Sequence, residues 1–386
     1  MYTIKTMNKI SPLGLALLDD KRFVVSSGAA NPDGILVRSA DLLSAELPEN
    51  LLAIARAGAG TNNIPTDRCS EAGIVVFNTP GANANAVKEL FMCAVLMAGR
   101  DIAGGIRWAD GLAGSENVEQ AVEKGKGAFT GPEIMGKTLG VLGLGAVGVL
   151  VANAAVAMGM TVLGYDPYLS VNNALHLDGS VRVTDLKTLY AESDFITVHV
   201  PLTEATRGTI NEAAIASMKK GVRILNLARG GLVDETDILA ALEEGSVARY
   251  VTDFPSDALV GRPGVVCIPH LGASTPESEE NCAVMAARQL ADYLETGCIK
   301  NSVNLPDCEM PRSGQVRLCI INRNIPNMLS KMLTILGDDG ANVENMLNRS
   351  RGDYACTLID LAGSLPAGAV EDLMAMDGIL RVRVIL

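Results

Sequence analysis

The chain has 386 residues, of which 48% are apolar and 20% are charged. This composition excludes an intrinsically disordered protein and predicts two or three domains with sizeable apolar cores. The net charge of −12 argues against nucleic-acid partners and against anionic membranes, because binding to either depends on summed positive charge.

The N-terminal part of the chain alternates short apolar runs with turn signals. The runs FVVS, GILVRS, LLAIARAG and AGIVVFN, set between helical stretches, predict a small α/β lobe. The opening stretch MYTIKTMNKI lacks the apolar segment of a signal peptide, so we expect a cytoplasmic protein. Residues 84–108 then predict one long, largely apolar helix, which we expect in the core and at a dimer contact.

The next segment, residues 138–165, carries no charge and is long enough to span a bilayer. Glycines interrupt it repeatedly, which favours a compact strand, turn, helix and strand over a membrane span. Further strands follow in alternation with helices: DFITVHV, RILNLA, RYVTDF and VVCIPH. Repeated βα units of this kind predict a doubly wound parallel sheet of the Rossmann type.

The motif VLGLGAVG places GxGxxG at Gly143, Gly145 and Gly148, directly after a predicted strand and at the start of a helix. The glycines permit a tight turn, close approach to a pyrophosphate and helix packing on the strand. The next strand ends in Asp166, at the spacing of a ribose-binding acid. A carboxylate there accepts from the ribose hydroxyls and repels a 2′-phosphate, so the predicted cofactor is NAD.

Polar side chains follow three later strands, at the point where each predicted strand ends. They are Arg229 in NLARGG, Asp253 to Asp257 in DFPSD, and His270 in PHLGAST. Ligands of doubly wound sheets bind beyond the carboxyl ends of the strands, so we expect these residues near the nicotinamide. Oxidation of a hydroxy acid needs a base for the hydroxyl proton, a carboxylate to orient that base and a cation for the substrate carboxylate.

The motifs GLGAVG, NLARGGLVDE and PHLGAST resemble those of the D-isomer-specific 2-hydroxyacid dehydrogenases. The resemblance implies that Arg229 binds the substrate carboxylate and that His270 is the acid–base residue. Asp257 stands where most members carry a glutamate paired to the histidine. The usual Asp-Val-Phe is replaced by Thr252-Asp253-Phe254, with Asp253 expected at the nicotinamide carboxamide. Further cofactor contacts are expected from Ala146, Val147, His199, Pro201 and Ala228.

The N-terminal stretches ILVRSA and ARAGAGTNNI resemble the phosphoglycerate-oxidising members of that family. The resemblance implies a phosphorylated hydroxy acid as substrate, held by Arg38, Arg56 and the backbone of Gly58, Ala59 and Gly60. The expected reaction is oxidation of 3-phospho-D-glycerate to 3-phosphohydroxypyruvate, the first step of L-serine biosynthesis. The alternatives are another D-2-hydroxy acid, such as glycerate, 2-hydroxyglutarate or lactate, and an NAD-sensing binding protein without a catalytic role.

The last part of the chain predicts a βαββαβ order, that of a small ferredoxin-like module. It resembles an ACT domain, a regulatory fold that commonly binds amino acids. Asn322, Asn324 and Asn342 are the candidate effector contacts, with L-serine as the candidate effector. The alternative is a module that only builds the oligomer, a homodimer or homotetramer.

These observations predict four parts of the chain. Residues 1–92 and 271–302 form a smaller, flavodoxin-like α/β substrate lobe, 93–270 the NAD-binding domain inserted in it, 303–314 a linker and 315–386 the ACT-like domain. The eight cysteines form no CxxC pair and lie mostly in apolar stretches, which favours buried, reduced thiols. With three histidines in the chain, no metal site is expected.

Overall fold

The computed structural model describes residues 1–338 and 340–386, and the chain divides into two compact units. Unit 1 consists of Met1–Asn83 and Pro276–Leu386, and unit 2 consists of Ala84–Thr275. Unit 1 is therefore built from both ends of the chain, with unit 2 as one continuous insertion. Among the helices of the described residues, none combines the length and apolar character that a membrane crossing requires.

Unit 1 begins with a parallel sheet that confirms the predicted flavodoxin-like lobe. Its elements are β1 (Tyr2–Met7), α1 (Pro12–Leu15), β2 (Phe23–Ser26), β3 (Gly34–Val37), β4 (Ala53–Arg56), α2 (Thr66–Glu71) and β5 (Val75–Phe77). The strand order β2-β1-β3-β4-β5 is that of flavodoxin-like folds. β3, β4 and β5 are almost wholly buried, which explains their uninterrupted apolar sequences. β1 is not among the predicted apolar runs, although its alternation of polar and apolar residues is typical of a half-buried strand.

Unit 2 begins with α3 (Ala84–Gly99), α4 (Ile102–Asp110) and α5 (Val118–Gly125). The prediction of one helix over residues 84–108 is wrong, because the helix breaks at Arg100 and Asp101. The carboxylate of Asp101 accepts a 3.0 Å hydrogen bond from the backbone N–H of Gly104 and caps α4. It also forms a 2.7 Å ion pair with Arg249. This local cap outweighs the apolar pattern that would continue α3.

A seven-stranded parallel sheet forms the rest of unit 2. Its elements are β6 (Thr138–Leu142), α6 (Ala146–Ala157), β7 (Thr161–Tyr165), α7 (Val171–Leu175), β8 (Arg182–Val183), α8 (Leu186–Glu192), β9 (Phe195–Val198), α9 (Glu212–Ala216), β10 (Val222–Asn226), α10 (Glu235–Glu244), β11 (Val247–Thr252) and β12 (Val265–Cys267). The strand order is β12-β11-β10-β9-β6-β7-β8. The chain builds β6 to β8 toward one edge and then β9 to β12 toward the other. The predicted doubly wound sheet is confirmed, with its switch point between β6 and β9.

The chain then returns to unit 1 with a long helix and an antiparallel sheet. These elements are α11 (Pro276–Thr296), β13 (Val316–Arg323), α12 (Met328–Asp338), β14 (Val343–Arg351), β15 (Tyr354–Leu361), α13 (Ala369–Ala375) and β16 (Ile379–Ile385). The strand order β14-β15-β13-β16 and the βαββαβ sequence of elements confirm the predicted ferredoxin-like module.

One apolar core joins this C-terminal module to the N-terminal sheet of unit 1. It contains Ile4 of β1, Leu290 of α11 and Ile385 of β16, all nearly inaccessible to solvent. The segment predicted as a linker, residues 303–314, contributes Leu305, Cys308 and Met310 to the same core. All eight cysteines of the chain are free thiols, and five of them are buried.

Two buried arginines of the module satisfy carbonyl groups at the C-terminal end of α11. Arg317 of β13 donates to the carbonyl oxygen of Thr296 and forms a bidentate pair with Asp360 of β15, at 2.6 and 2.8 Å. Arg383 of β16 donates to the carbonyl oxygens of Tyr293 and Leu294, at 3.0 and 2.7 Å. The last turn of a helix leaves these carbonyls without partners of its own, so the module completes α11.

Candidate active site

The glycine turn that follows β6 has the geometry of a dinucleotide cradle. Gly143 has φ +92°, and a Cβ there would lie 2.7 Å from the carbonyl oxygen of His199. A Cβ at Gly148 would overlap the carbonyl oxygen of Gly143, whereas a Cβ at Gly145 would meet no described atom within 4 Å. Gly145 therefore opens the N-terminus of the 12-residue helix α6 to a ligand. Its free N–H groups and partial positive charge suit a pyrophosphate.

Asp166 directly follows β7 and is tied to this turn. Its two carboxylate oxygens accept 2.8 Å hydrogen bonds from the backbone N–H groups of Leu144 and Tyr168. Each oxygen keeps a further lone pair, so the carboxylate can still accept from ribose hydroxyls. The residues present thus fit NAD at this turn.

The other predicted cofactor residues lie beside the turn or at neighbouring strand ends. Ala146 and Val147 form the first turn of α6, Pro201 is exposed after β9, and Ala228 is half-buried after β10. His199 directly follows β9, and its Nε2 lies 2.9 Å from Oγ1 of Thr197. Burial lowers the pKa of His199 to about 4, so this imidazole is neutral near pH 7. A neutral ring held in this way can line the cofactor site but is poorly suited to act as the acid–base residue.

Asn226, the last residue of β10, shapes the loop that carries Arg229. Its buried side chain donates a 2.8 Å hydrogen bond to the carbonyl oxygen of Arg229 and accepts one from the N–H of Ala228. The guanidinium of Arg229 donates to the carbonyl oxygen of Ala228 and is otherwise exposed. It is accessible to a dissolved carboxylate.

Arg229, Asp253 and His270 come together at the carboxyl edge of the sheet. They follow β10, β11 and β12, which are neighbours in the strand order. The ring of His270 lies against that of Phe254, with 4.7 Å between centroids. Burial raises the pKa of Asp253, while the charges of His270 and Arg229 and the N–H of Gly272 act in the opposite sense. Both His270 and Arg229 are therefore close enough to interact electrostatically with the buried carboxylate.

Asp257 lies on an exposed turn after Asp253. The preceding residue, Ser256, fixes this turn by donating a 2.8 Å hydrogen bond from its hydroxyl to Glu235 of α10. In the described part of the chain, the hydrogen bonds and ion pairs include none between Asp257 and His270. The pairing of these two residues stays a prediction.

The predicted substrate residues of unit 1 follow β3 and β4. Arg38 forms a 2.6 Å ion pair with Glu279 in the first turn of α11, and the two side chains are 41% and 44% exposed. The pair borders a pocket of about 170 Å³ that Lys9, Ser11 and Glu280 also line. Arg38 is thus accessible, but its charge is already matched by an acid.

Arg56 has different surroundings from Arg38. Its Nε donates a 3.0 Å hydrogen bond to the carbonyl oxygen of Arg38, and its Nη1 donates to that of Gly60. Its guanidinium also lies under Gly58, where a Cβ would be 3.2 Å away. The carbonyl oxygen of Ala59 accepts a 2.6 Å hydrogen bond from Asn78. These bonds indicate that Arg56 holds the shape of the loop 58–60.

The three candidate effector asparagines do not meet within one chain. Asn322 is buried near the end of β13, opposite Ala355 of β15, and Asn324 follows it. The carbonyl oxygen of Asn342 instead accepts a hydrogen bond from Ala362, beyond the other end of β15. Seven residues of a strand separate these levels, roughly 23 Å. Serine binding stays a prediction.

Two contacts of this site were not found from the sequence. Glu279 was missed because acids in the first turn of a helix are ordinary, so the sequence carries no signal of its pairing with Arg38. Phe254 was read only as part of a family motif, although its ring supports His270. The position of Phe254 directly after Asp253 was the sequence signal that could have indicated its contact with His270.

The comparisons with known proteins agree with this geometry. Residues 108–272 match the family model described as "D-isomer specific 2-hydroxyacid dehydrogenase, NAD binding domain". A hydroxypyruvate reductase of Thermotoga maritima is 40% identical over 277 residues, which cover 68% of this chain and 85% of that protein. The NAD⁺-bound crystal structure of a 3-phosphoglycerate dehydrogenase from Entamoeba histolytica superposes with a TM-score of 0.60 at 27% identity, covering 78% of this chain and 98% of that one.

Longer relatives carry the name D-3-phosphoglycerate dehydrogenase. The protein of that name from Archaeoglobus fulgidus is 37% identical over 290 residues, or 72% of this chain and 52% of the relative. The chain spans about half the length of the curated relatives of this name that it matches. From the motifs, the dinucleotide cradle and these similarities together, the chain belongs to the D-isomer specific 2-hydroxyacid dehydrogenase family and contains its NAD-binding domain.

Proposed function

We propose that this chain oxidises 3-phospho-D-glycerate to 3-phosphohydroxypyruvate with NAD. The observation that carries the proposal is the convergence of Arg229, Asp253 and His270 beyond three adjacent strands of the sheet that bears the dinucleotide turn. The relatives named D-3-phosphoglycerate dehydrogenase support this substrate over others.

Each of the converging residues has a part in this chemistry. NAD, when bound at the glycine turn, supplies the acceptor for the hydride from C2 of the substrate. The exposed guanidinium of Arg229 binds the substrate carboxylate through two parallel N–H groups. The imidazole of His270 takes the hydroxyl proton during oxidation and returns it during reduction.

Arg38 is the proposed contact for the phosphate group. Its side chain is 41% exposed beside the pocket, whereas Arg56, the other candidate, makes backbone contacts in the neighbouring loop. A substrate phosphate that binds Arg38 must compete with the carboxylate of Glu279, because both anions bind the same guanidinium.

A second candidate is reduction of an unphosphorylated 2-oxo acid. Two observations favour it: Glu279 already neutralises Arg38, and the relative named hydroxypyruvate reductase is 40% identical and is covered to 85% of its length by this chain. In this case Arg38 would contribute little to binding, and hydroxypyruvate would be used at least as well as its phosphorylated form.

The test is a purified-enzyme assay in the reductive direction, following NADH absorbance with phosphohydroxypyruvate, hydroxypyruvate and 2-oxoglutarate. For Arg38→Ala we expect kcat/KM for phosphohydroxypyruvate to fall by roughly 10- to 100-fold, because a charge-assisted contact to phosphate is lost. The value for 2-oxoglutarate should change less than about threefold.

Arg22→Ala is the matched control for this assay. Arg22 is also an exposed arginine paired to a glutamate of α11, Glu295, at 2.8 Å. The Arg22→Ala substitution should leave kcat/KM for all three substrates unchanged. Equal losses on phosphorylated and unphosphorylated substrates in Arg38→Ala would contradict the phosphate assignment.

A further inference from the structure

The carboxylate of Asp253 is an unusual group within unit 2. The residue is 1% exposed, and its Oδ1 has no hydrogen-bond partner among the described residues. Buried carboxylates are normally ionised only with hydrogen bonds or a cation to stabilise them. A carboxylate with one unsatisfied oxygen at an active site therefore calls for a functional explanation.

The groups that face Asp253 come from three neighbouring elements. The loop after β10 contributes the cation of Arg229, and the loop after β12 contributes His270 and the N–H of Gly272. Gly272 is packed closely, since a Cβ there would lie 3.3 Å from Oδ2 of Asp253 and 3.4 Å from Val87 of α3. Phe254, on the same loop as Asp253, contacts the ring of the exposed His270, with 4.7 Å between ring centroids. The titratable partners of Asp253 are thus His270 and Arg229.

We propose that Asp253, rather than Asp257, is the positioning carboxylate that stabilises the protonated form of His270. The inference rests on the proposed function and assigns a part within it. During oxidation the O–H proton of the substrate moves to His270 as the C=O bond forms, and NAD, when bound, would accept the hydride released from C2. Asp253 stays ionised and takes no proton.

Burial makes this carboxylate more effective than the exposed one. Charges interact more strongly when water is excluded, whereas an exposed acid such as Asp257 is screened by solvent and salt. The geometry makes the two side chains neighbours: Gly272, two residues after His270, lies against the carboxylate of Asp253, and Phe254, the residue after Asp253, contacts the ring of His270. A neighbouring negative charge favours the protonated form of an imidazole.

The experiment follows the histidine ring signals by NMR in the full chain labelled with ¹³C-histidine. The chain has three histidines, and His270→Gln assigns the signal of His270. Asp253→Asn should lower the midpoint of the His270 titration by roughly one pH unit. Asp257→Asn, the same substitution four positions away, should lower it by less than about 0.3 unit.

A kinetic measurement gives a second readout. In the reductive direction His270 must donate a proton, so the rate falls as pH rises through its midpoint. Asp253→Asn should therefore move the alkaline limb of kcat/KM to lower pH by roughly one unit. A purely structural defect would lower activity without moving this limb.

The outcomes separate this inference from the proposed function. A larger shift in Asp257→Asn than in Asp253→Asn, or no shift in Asp253→Asn, overturns the inference. If Asp253→Asn does not fold, Asp257→Asn decides: an unchanged midpoint supports Asp253, and a shift of about half a unit or more assigns the charge to Asp257. The NMR measurement does not require catalysis. An enzyme inactive on every 2-oxo acid would therefore contradict the proposed function without deciding which aspartate acts on His270.

Discussion

At the scale of single residues, the neighbour of Arg38 decides what that arginine can bind. An isolated guanidinium attracts a dianionic phosphate, but Arg38 is paired with Glu279 at 2.6 Å. Exposed ion pairs of this kind are worth little, so phosphate can displace the acid at a modest cost. Under the proposed phosphate assignment, Glu279 sets how strongly the enzyme prefers a phosphorylated over an unphosphorylated substrate.

Glu279→Gln should increase activity on the phosphorylated substrate. We expect kcat/KM for phosphohydroxypyruvate to rise by roughly 2- to 10-fold, because the amide no longer competes for Arg38 or repels the incoming anion. Steady-state kinetics on both hydroxypyruvate and its phosphorylated form measure the change. Glu280→Gln, at a residue lining the same pocket, is the control. An unchanged ratio between the two substrates would show that Glu279 has no part in selectivity.

The residues of the site differ in how far the sequence could predict them. Arg229 and His270 were predicted because each follows an apolar strand, and parallel strands end at one edge of a sheet. The pairing of Arg38 with Glu279 joins residues 241 positions apart and leaves no pattern in either segment. The sequence also could not predict that Asp253 is buried and Asp257 exposed, since both acids belong to one short loop.

At the scale of elements, α11 depends on strands that follow it in the chain. Arg317, 1% exposed, donates to the last turn of α11 and holds Asp360, which is fully buried. The ferredoxin-like module therefore supplies bonds that an isolated helix end would take from water. The βαββαβ order was predictable because each strand and helix has its own local pattern. The way the module docks on α11 was not, because it depends on these distant side chains.

Arg317→Met should destabilise unit 1 strongly. Removing the cation leaves Asp360 as a buried charge, which typically costs about 3–5 kcal/mol. The double variant Arg317→Met with Asp360→Leu should regain much of this loss, because it removes both charges. Urea denaturation followed by circular dichroism measures the free energies of unfolding. A double variant no more stable than Arg317→Met alone would contradict this account of the pair.

At the scale of the molecule, unit 1 has one core built by the first and last parts of the chain. Ile4, Leu290 and Ile385 share it, together with residues of the segment 303–314. Sequence composition predicted that segment as a linker because it is rich in Pro, Asn and Ser, but its few apolar residues are buried. A module attached in this way is a structural part of the lobe.

Deleting residues 312–386 should therefore damage the lobe that remains. The truncated chain loses β13 to β16 and exposes apolar surface around α11 and β1, so we expect it to bind the dye ANS and to unfold less cooperatively. The full chain with the same purification tag is the control. A truncated protein that unfolds at the same temperature as the full chain, without binding ANS, would rule out a shared core.

The shared core also orders events during synthesis. Residues 84–275 are contiguous, so unit 2 can fold as soon as it leaves the ribosome. The strands that precede it cannot complete their core until β16 has been translated, hundreds of residues later. Until then β1 to β5 expose apolar faces and strand edges, which makes the nascent chain a natural client for chaperones.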